Sequence, residues 1–244
     1  MKGILFSKLF HQASKDLSLG HSPIPAKAED YPNEWKKVYY KKYKRFDSLK
    51  LPEPPDVSVL DLFTSIKRRS SKRNFNQEPI SLVNLSTLLK YSFGIFDGKN
   101  VFHRVYPSAG ARYPLEVYPI IYYGVDIKSG VYHYDVSTHS LESLFTDGKS
   151  LKKIKESFGD KWVSTASFVL IISAVFNRNQ MKYGERGYRH VLFETGHAGQ
   201  LVLNLSEELG LRSSISLFTN DNQLEKIIGL DGVTESVVYT IFFG

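Results

Sequence analysis

The sequence predicts an α+β fold. Strand-like and helix-like patterns mix along the chain without the strict alternation of strand and helix that builds a parallel sheet. Residues 166–176 form the longest apolar run, interrupted by two serines. This run is too short for a bilayer, which needs about 20 residues, and it fits a strand buried on both faces. Residues 185–209 form a long helical pattern that ends before a glycine.

Two regions are expected, an N-terminal arm at residues 1–55 and a folded domain at residues 56–244. The arm contains Tyr31-Pro32 and Pro52-Glu53-Pro54-Pro55, which interrupt regular structure. Between them, residues 35–46 interleave aromatic and basic side chains. Such a stretch binds single-stranded nucleic acid in some proteins, but more often it lays its rings on a core and leaves its lysines in water. We therefore expect no nucleic-acid partner.

Two predicted helices open the domain. Ser58 is expected to cap the first helix, whose apolar face comprises Leu60, Leu62, Phe63 and Ile66. Ser81 is expected to cap the second, which turns toward the core Leu82, Leu85, Leu88 and Leu89. Gly94 stands where a helix C-terminus favours a residue in the left-handed conformation.

Apolar patterns place the remaining elements. Strands are predicted at residues 117–123, 130–135, 141–145, 168–175 and 236–243, and shorter helices at 149–158 and 221–228. The long helix contains Gly187, Gly196 and Gly199, which lower helix propensity. Their presence is explained if another backbone or a planar ligand packs closely against the helix.

Composition limits the chemistry. The chain has no cysteine, which excludes disulfides, thiolate metal sites and cysteine nucleophiles, and its histidines are too scattered for a metal site. The net charge of +7 favours an acidic partner or a phosphate, although a soluble basic surface explains it equally well. The beginning lacks the apolar run of a signal peptide, so we expect a soluble, cytoplasmic protein without a membrane partner. The chain has no G-x-S-x-G nucleophile elbow, no Walker phosphate loop and no G-x-G-x-x-G motif, so hydrolase, kinase and Rossmann functions lack support.

Residues 68–75 form a basic, hydroxyl-rich segment after the first helix. In an extended chain, residues two apart point to the same side, so Arg69, Ser71 and Arg73 converge on one anion. The arginine fork suits a phosphate or the negatively charged edge of a ring. The alternative is a solvated helix end that offsets the helix dipole.

Two further segments carry candidate chemistry. In the small-residue loop at 106–113, Ser108 and Gly110 offer backbone N–H groups to a ligand, although a plain turn also fits. In the segment 181–189, Lys182 acts as a base if burial lowers its pKa, and the Tyr183 phenol relays a proton. An ordinary charged helix start is the alternative for this segment.

Together and in this order, the three segments resemble the nitroreductase-like flavoproteins, and among them the SagB-type dehydrogenases, which oxidise azoline rings to azoles in ribosomally made peptides. Residues 194–200 and 208–211 match as well, so the resemblance covers roughly residues 56–244. It implies a mixed, mainly antiparallel sheet flanked by helices. It also implies a homodimer with a long interface helix and FMN bound between the subunits.

The resemblance also implies residue roles. By this resemblance, the phosphate and ribityl chain of FMN are bound by Arg69, Ser70 and Ser71, and the pyrimidine edge of the ring is bound by Arg73. The residues implied to contact the flavin from the partner subunit are Pro107, Ser108, Ala109 and Gly110. The residues whose backbone is implied to pass close to the ring are Leu211, Arg212, Ser213 and Ser214. Lys182 and Tyr183 match the catalytic pair of the azoline-oxidising branch.

The chain departs from the family pattern in two ways. It lacks the basic residues near the C-terminus that hold the phosphate in classical nitroreductases, so Arg68, Arg186 or Arg189 is expected to serve instead. It also has no appended cyclodehydratase domain, so a separate cyclodehydratase is the expected partner. The alternatives are an NAD(P)H-dependent nitro or quinone reductase, a cyclic-dipeptide dehydrogenase, and a flavin-binding subunit without catalysis.

Overall fold

An antiparallel sheet forms the centre of the fold. The computed structural model describes residues 6–15, 24–25, 27–55, 62–95 and 103–244. Within these residues the strand order is β1-β4-β3-β2-β5-β7-β6, and every pair of neighbouring strands is antiparallel. The strands are β1 (Ser48–Lys50), β2 (Leu115–Ile121), β3 (Gly130–Asp135), β4 (Ser140–Phe145), β5 (Phe168–Val175), β6 (Ser213–Ile215) and β7 (Glu235–Phe243).

Strand β5 lies in the middle of the sheet, as its uninterrupted apolar pattern predicts. It pairs with β2 on one side and with β7 on the other. Its side chains alternate between two apolar clusters: Leu170 and Ile172 belong to one, and Val169 and Ile171 to the other. Because both faces of the strand are covered, the alternation of polar and apolar residues typical of a half-exposed strand is absent.

Helices cover both faces of the sheet. They are α1 (Phe6–Ala13), α2 (Leu62–Arg68), α3 (Leu82–Phe93), α4 (Gly148–Glu156), α5 (Asn177–Tyr183), α6 (Arg186–Glu208) and α7 (Asp221–Ile228). Residues of α3 and α6 belong to one apolar cluster, and residues of α4 and α7 to the other. The predicted α+β architecture with a mainly antiparallel sheet is therefore confirmed. Within the described ranges, no helix combines the length and apolar character needed to cross a membrane.

The two helices predicted at the start of the domain differ in outcome. In α3, Ser81 Oγ accepts a hydrogen bond from Asn84 N at 3.1 Å, so the predicted cap is confirmed. The leucine face is confirmed as well, since Leu85, Leu88 and Leu89 are fully buried. Gly94 is not left-handed, because its φ is −71°. A Cβ there would collide with the Lys90 carbonyl oxygen, so close approach to the helix end explains the glycine.

Helix α2 does not bury the face that its sequence suggests. Leu62, Phe63 and Ile66 are 61%, 68% and 53% exposed, so the predicted apolar face lies on the surface rather than against the core. The predicted cap Ser58 and the neighbouring Leu60 lie outside the described residues. An exposed apolar face and a core face have the same pattern in the sequence, so propensity alone cannot distinguish them.

The arm packs against the domain, and the sheet extends into its expected range. Strand β1 pairs with β4, and the adjacent Leu51 is only 1% exposed. Tyr43 lies edge-on to the rings of Tyr118 and His133, and its backbone N–H donates to Glu142 Oε1 at 2.8 Å. The ring of Tyr43 thus follows the interpretation in which the arm lays its aromatic side chains on the core.

A turn divides residues 181–189 into two helices. Helix α5 ends at Tyr183 and is followed by Gly184, whose φ is +53°, and α6 begins at Arg186. A Cβ on Gly187 would lie 2.9 Å from the backbone of Asn179, so this glycine lets the two helices approach closely. Gly199 similarly faces the ring of Tyr239, at 2.8 Å from a Cβ position. These contacts explain two of the glycines in the long helix.

Candidate active site

The loop at residues 107–110 is fastened to α6. Ser108 Oγ donates a hydrogen bond to Glu194 Oε2 at 2.8 Å and accepts one from Tyr113 N at 2.8 Å. Gly110 has a φ of +61°, a conformation in which residues with side chains are strained. The glycine and the serine therefore fix the shape of the loop, each for a separate reason.

The loop contacts the predicted catalytic pair. A Cβ on Gly110 would lie 2.5 Å from Tyr183 Oη and 3.1 Å from Lys182 Nζ. Only glycine leaves room for both side chains against the loop backbone. Two segments more than 70 residues apart in the sequence thus meet in one site.

Lys182 is enclosed by aromatic rings. Its side chain is buried, with Nζ 4.1 Å from the ring centroid of Tyr31, 5.5 Å from that of Trp35 and 5.6 Å from that of Tyr183. Burial lowers the pKa of Lys182, and the positive charge of Arg112 lowers it further. A lowered pKa is the direction that a lysine base requires, and the cation that contributes to it is Arg112.

Arg186 and Arg189 donate hydrogen bonds to residues at the C-terminal end of α1 instead. Arg189 Nη2 donates to the His11 carbonyl oxygen at 3.1 Å and to Ser14 Oγ at 2.6 Å. Arg186 Nη1 donates to the Ser14 carbonyl oxygen at 3.4 Å. Both guanidinium groups have hydrogen-bond partners in the last turn of the first helix or in the residue that follows it, which weakens the expectation that either holds a phosphate.

Tyr183 is suited to remain a phenol. Burial raises its pKa, so the hydroxyl keeps its proton at neutral pH. Its ring lies edge-on to that of His190, with centroids 4.8 Å apart. Burial lowers the pKa of His190, and the charges of Arg186 and Arg189 lower it further. The surroundings of Tyr183 therefore favour a neutral imidazole beside a neutral phenol.

A cavity of about 290 Å³ lies between the loop and α6. Its lining comprises Pro107, Ser108, Ala109, His190, Phe193, Glu194 and His197. Two buried polar atoms, Glu194 Oε1 and His190 Nδ1, have no hydrogen-bond partner among the described residues. Burial raises the pKa of Glu194 to about 8, although the hydrogen bond from Ser108 opposes this. The carboxyl group is thus mostly protonated at neutral pH and provides both a donor and an acceptor.

The basic segment lies beside the stretch after α6, as the predicted cofactor roles require. Lys72 N donates to the Ser213 carbonyl oxygen at 3.0 Å, and Arg212 Nη1 donates to the Asn74 carbonyl oxygen at 2.6 Å. Lys72 Nζ forms an ion pair with Glu207 of α6 at 2.8 Å. Residues 69–73 and 211–214 therefore form one surface.

The donors on this surface fit an anion attached to a ring. Ser70, Ser71 and Arg73 are exposed, while the intervening Lys72 turns away toward Glu207, consistent with alternating sides. The Arg73 guanidinium lies 5.8 Å from the ring centroid of Trp162. Ser214 Oγ is buried without a hydrogen-bond partner among the described residues. Hydroxyl groups and planar guanidinium groups in this arrangement suit a phosphate ester and a polar ring edge.

Within one chain, the loop and the basic segment contact α6 at different positions along the helix. Glu194 holds the loop and Glu207 holds the basic segment, thirteen residues later on the same helix. At 1.5 Å per residue, these positions lie about 20 Å apart. The residues assigned to FMN therefore form two separate groups, one of which also contains Lys182 and Tyr183.

The sequence patterns did not single out three contributors to the site. Tyr31 and Trp35 come from the arm, and the interleaved aromatic pattern of residues 35–46 was a signal for Trp35 alone. Arg112 follows the loop and is 1% exposed. Its guanidinium donates to the carbonyl oxygens of Trp35 at 2.6 Å, Glu34 at 3.0 Å and Arg178 at 3.1 Å. Arg112 thus joins the arm to α5 and the loop.

Comparisons with known proteins identify the family of this chain. The family model described as the nitroreductase family matches residues 66–244. A protein of Methanocaldococcus jannaschii assigned to the nitroreductases is 32% identical over 71% of this chain and 87% of its own length. The microcin B17-processing protein McbC of Escherichia coli is 29% identical over 75% of this chain and 73% of its own length.

Solved structures show the same fold. A chain of the Escherichia coli microcin synthetase McbBCD complex, determined with truncated pro-MccB17 bound, has a TM-score of 0.64 and 25% identity, and the match covers 98% of this chain and 91% of that chain. A Desulfovibrio desulfuricans protein assigned to the nitroreductases, determined in complex with FMN, has a TM-score of 0.52 and 16% identity over 76% of this chain and 86% of that chain. With the family model covering most of the chain and the same fold recurring in solved structures, the protein belongs to the nitroreductase family.

Proposed function

We propose that this protein is an FMN-dependent dehydrogenase that oxidises azoline rings, thiazoline or oxazoline, to azoles in a ribosomally made peptide. The observation that carries the proposal is the placement of Lys182 and Tyr183 against the backbone of Gly110 in a buried site. A lysine with a lowered pKa next to a protonated phenol is arranged for proton abstraction. The similarity to the microcin B17-processing protein favours a peptide substrate.

The proposed cofactor contacts involve the two groups of residues that are bonded to Glu194 and Glu207 of α6. Arg69, Ser70 and Ser71 would hold the phosphate and ribityl chain, and Arg73 the pyrimidine edge. The loop at 107–110 and the stretch 211–214 would contact the ring. Bound FMN supplies a two-electron acceptor for a hydride.

The chain's own residues supply the proton chemistry. The reaction removes a hydride and a proton from neighbouring ring carbons and leaves a double bond between them. Lys182, whose pKa is lowered by burial and by the charge of Arg112, accepts the proton at Nζ. Tyr183 Oη, which retains its proton, holds a heteroatom of the substrate by donating a hydrogen bond. We propose molecular oxygen as the final electron acceptor.

A homodimer would bring the two groups together. Because the loop and the basic segment lie about 20 Å apart along α6, a flavin held by the basic segment of one chain would meet the loop of a second chain. The exposed side chains of Leu62, Phe63 and Ile66 on α2, and of Phe193 on α6, are 53–68% exposed and offer apolar surface for such a contact. A separate cyclodehydratase would supply the azoline peptide in the cytoplasm, without nucleic acid or membrane.

The test uses purified protein and a synthetic azoline peptide. We expect flavin absorption bands in the preparation and, with peptide and oxygen, the loss of two hydrogens per ring by mass spectrometry together with hydrogen peroxide release. The Lys182→Ala variant should keep the flavin and lose turnover, whereas Lys152→Ala, at an exposed position on α4, should keep both. A colourless protein that stays free of added FMN, or full turnover by Lys182→Ala, would contradict the proposal.

One second candidate has support from the comparisons. The similarity to the Methanocaldococcus jannaschii nitroreductase-like protein favours an NAD(P)H-dependent reductase of nitro compounds or quinones. Rapid bleaching of the flavin by NADH in the absence of peptide would identify this activity. A preparation with bound FMN and neither activity would instead indicate a flavin-binding subunit of a modifying complex.

A further inference from the structure

The arm covers Lys182. Tyr31 and Trp35 approach the ammonium group from the arm, while Lys182 itself lies at the end of α5, about 150 residues later in the chain. The two arm rings pack edge-on, with centroids 5.7 Å apart and planes at 66°. The ring of Tyr183 adds a third aromatic wall, 5.6 Å from Lys182 Nζ. The lysine is 7% exposed as a result.

The buried guanidinium group of Arg112 holds the arm in place over Lys182. Arg112 donates to two carbonyl oxygens of the arm, those of Glu34 and Trp35, and to the carbonyl oxygen of Arg178 in α5. Lys36 Nζ closes the arm on itself by donating to the Glu29 carbonyl oxygen at 2.7 Å. Because burying a guanidinium group is costly unless its donors are satisfied, Arg112 ties the position of the arm to the integrity of the site.

Within the part of the chain that the structure describes, the partners of Lys182 are aromatic rings rather than an acid. The facing groups are the rings of Tyr31, Trp35 and Tyr183, the charge of Arg112, and the backbone of Gly110. Among the described residues, no carboxylate forms an ion pair with Lys182 within 4.0 Å. The ring faces are therefore the favourable partners of the ammonium form, through cation–π attraction. The same rings exclude water, which disfavours the ammonium form.

We propose that Tyr31 and Trp35 are positioning residues of the active site, which hold Lys182 against Gly110 and exclude water from it, so that the arm is part of the catalytic apparatus. The inference rests on the proposed role of Lys182 as the base. It assigns a function to the aromatic residues of the arm that is distinct from packing against the core.

Substitutions at Tyr31 separate the two effects of the ring. In Tyr31→Leu, an apolar side chain still excludes water but the ring face is lost, so the unprotonated fraction of Lys182 at a given pH should rise about threefold. In Tyr31→Ala, water reaches the ammonium group, so this fraction should fall below that of the unsubstituted protein. Tyr31→Phe keeps the ring and should restore the original behaviour.

The readout is the protonation of Lys182, measured without turnover. The pH dependence of its labelling by a small amine-reactive reagent is followed by peptide mass spectrometry. Phe46→Leu and Phe46→Ala form the matched control pair, because Phe46 lies on the same arm, is 43% exposed and packs on Tyr43 instead. Opposite shifts for Tyr31→Leu and Tyr31→Ala, with no shift in the controls, would support the inference.

Failure of this inference differs from failure of the proposed function. Identical labelling profiles in all Tyr31 variants would overturn the positioning role, whatever the turnover. Opposite shifts in a protein that oxidises no azoline would keep the positioning role and reject the proposed substrate. If Tyr31→Ala does not fold, as judged by circular dichroism, the comparison of Tyr31→Leu with Tyr31→Phe decides, because both retain a large apolar side chain.

Discussion

The buried carboxyl group of Glu194 makes stability depend on pH in a way that one substitution should remove. Glu194 is 2% exposed, and burial raises its pKa from 4.5 to about 8. In the unfolded chain the group titrates near its ordinary value, so between these two pH values only the unfolded state releases the proton. Folding therefore becomes less favourable as the pH rises through this window.

The size of the effect follows from the shift. A change of about 3.5 pH units at about 1.4 kcal/mol per unit gives a cost of about 5 kcal/mol above both pKa values. Stability from this group is fully present below about pH 4.5 and is lost as the pH rises through about 8. Between about pH 5 and about pH 8.5, the linkage relation gives a loss of about 4 kcal/mol.

Glu194→Gln removes the titrating group while an amide oxygen can still accept the hydrogen bond from Ser108. Urea unfolding of the flavin-free protein at a fixed concentration measures the free energy of unfolding between pH 5 and pH 8.5. We expect the variant to gain stability relative to the unsubstituted protein as the pH rises, by about 4 kcal/mol over this range. Glu185→Gln, which replaces an exposed carboxyl group before α6, is the matched control. Parallel pH profiles for Glu194→Gln and the unsubstituted protein would refute the reasoning.

Three further predictions concern other parts of the molecule. Gly110→Ala should cost about 1–2 kcal/mol of stability for its left-handed backbone alone, and it should displace Tyr183 Oη, which lies 2.5 Å from the new Cβ. Thermal unfolding measures the loss of stability. Gly148→Ala is the control, because nothing lies within 4 Å of its Cβ position. Glu116→Gln should cost about 3–5 kcal/mol, because it leaves Arg178 Nη2, now 2.5 Å from the carboxylate, as an uncompensated buried charge. Burial opposes ionisation of Glu116, but Arg178 outweighs it and the pKa is lowered to about 2. The stabilisation from the Glu116 carboxylate is therefore present above about pH 4.5 and lost as the pH falls toward 2. The stability of Glu116→Gln should thus fall less steeply in acid than that of the unsubstituted protein, and an unchanged acid profile would contradict this. Arg69→Ala should weaken FMN binding about tenfold at low salt and less at high salt, as fluorescence titration would measure, and an unchanged affinity would remove Arg69 from the phosphate site.

Local pattern was enough to place much of the fold. The strands at residues 130–135 and 168–175 and the helix at residues 221–228 have the predicted boundaries, because each is a short apolar or amphipathic pattern between clear breaking residues. Strands β1 and β6 were not predicted. Each has three residues and owes its existence to the ladder of a neighbouring strand rather than to its own propensity.

The candidate site divides in the same way. The sequence by itself determined the chemistry of the pieces: a lysine–tyrosine pair, a glycine loop and a basic segment, since residue type and spacing are local properties. Only the tertiary structure decided that Tyr31 and Trp35 enclose Lys182 and that Arg112 lowers its pKa. It also decided that the leucine and phenylalanine of α2 face outward. Burial and long-range contacts are set by how the whole chain packs, and the neighbours of a side chain in space are therefore not encoded in its neighbours in sequence.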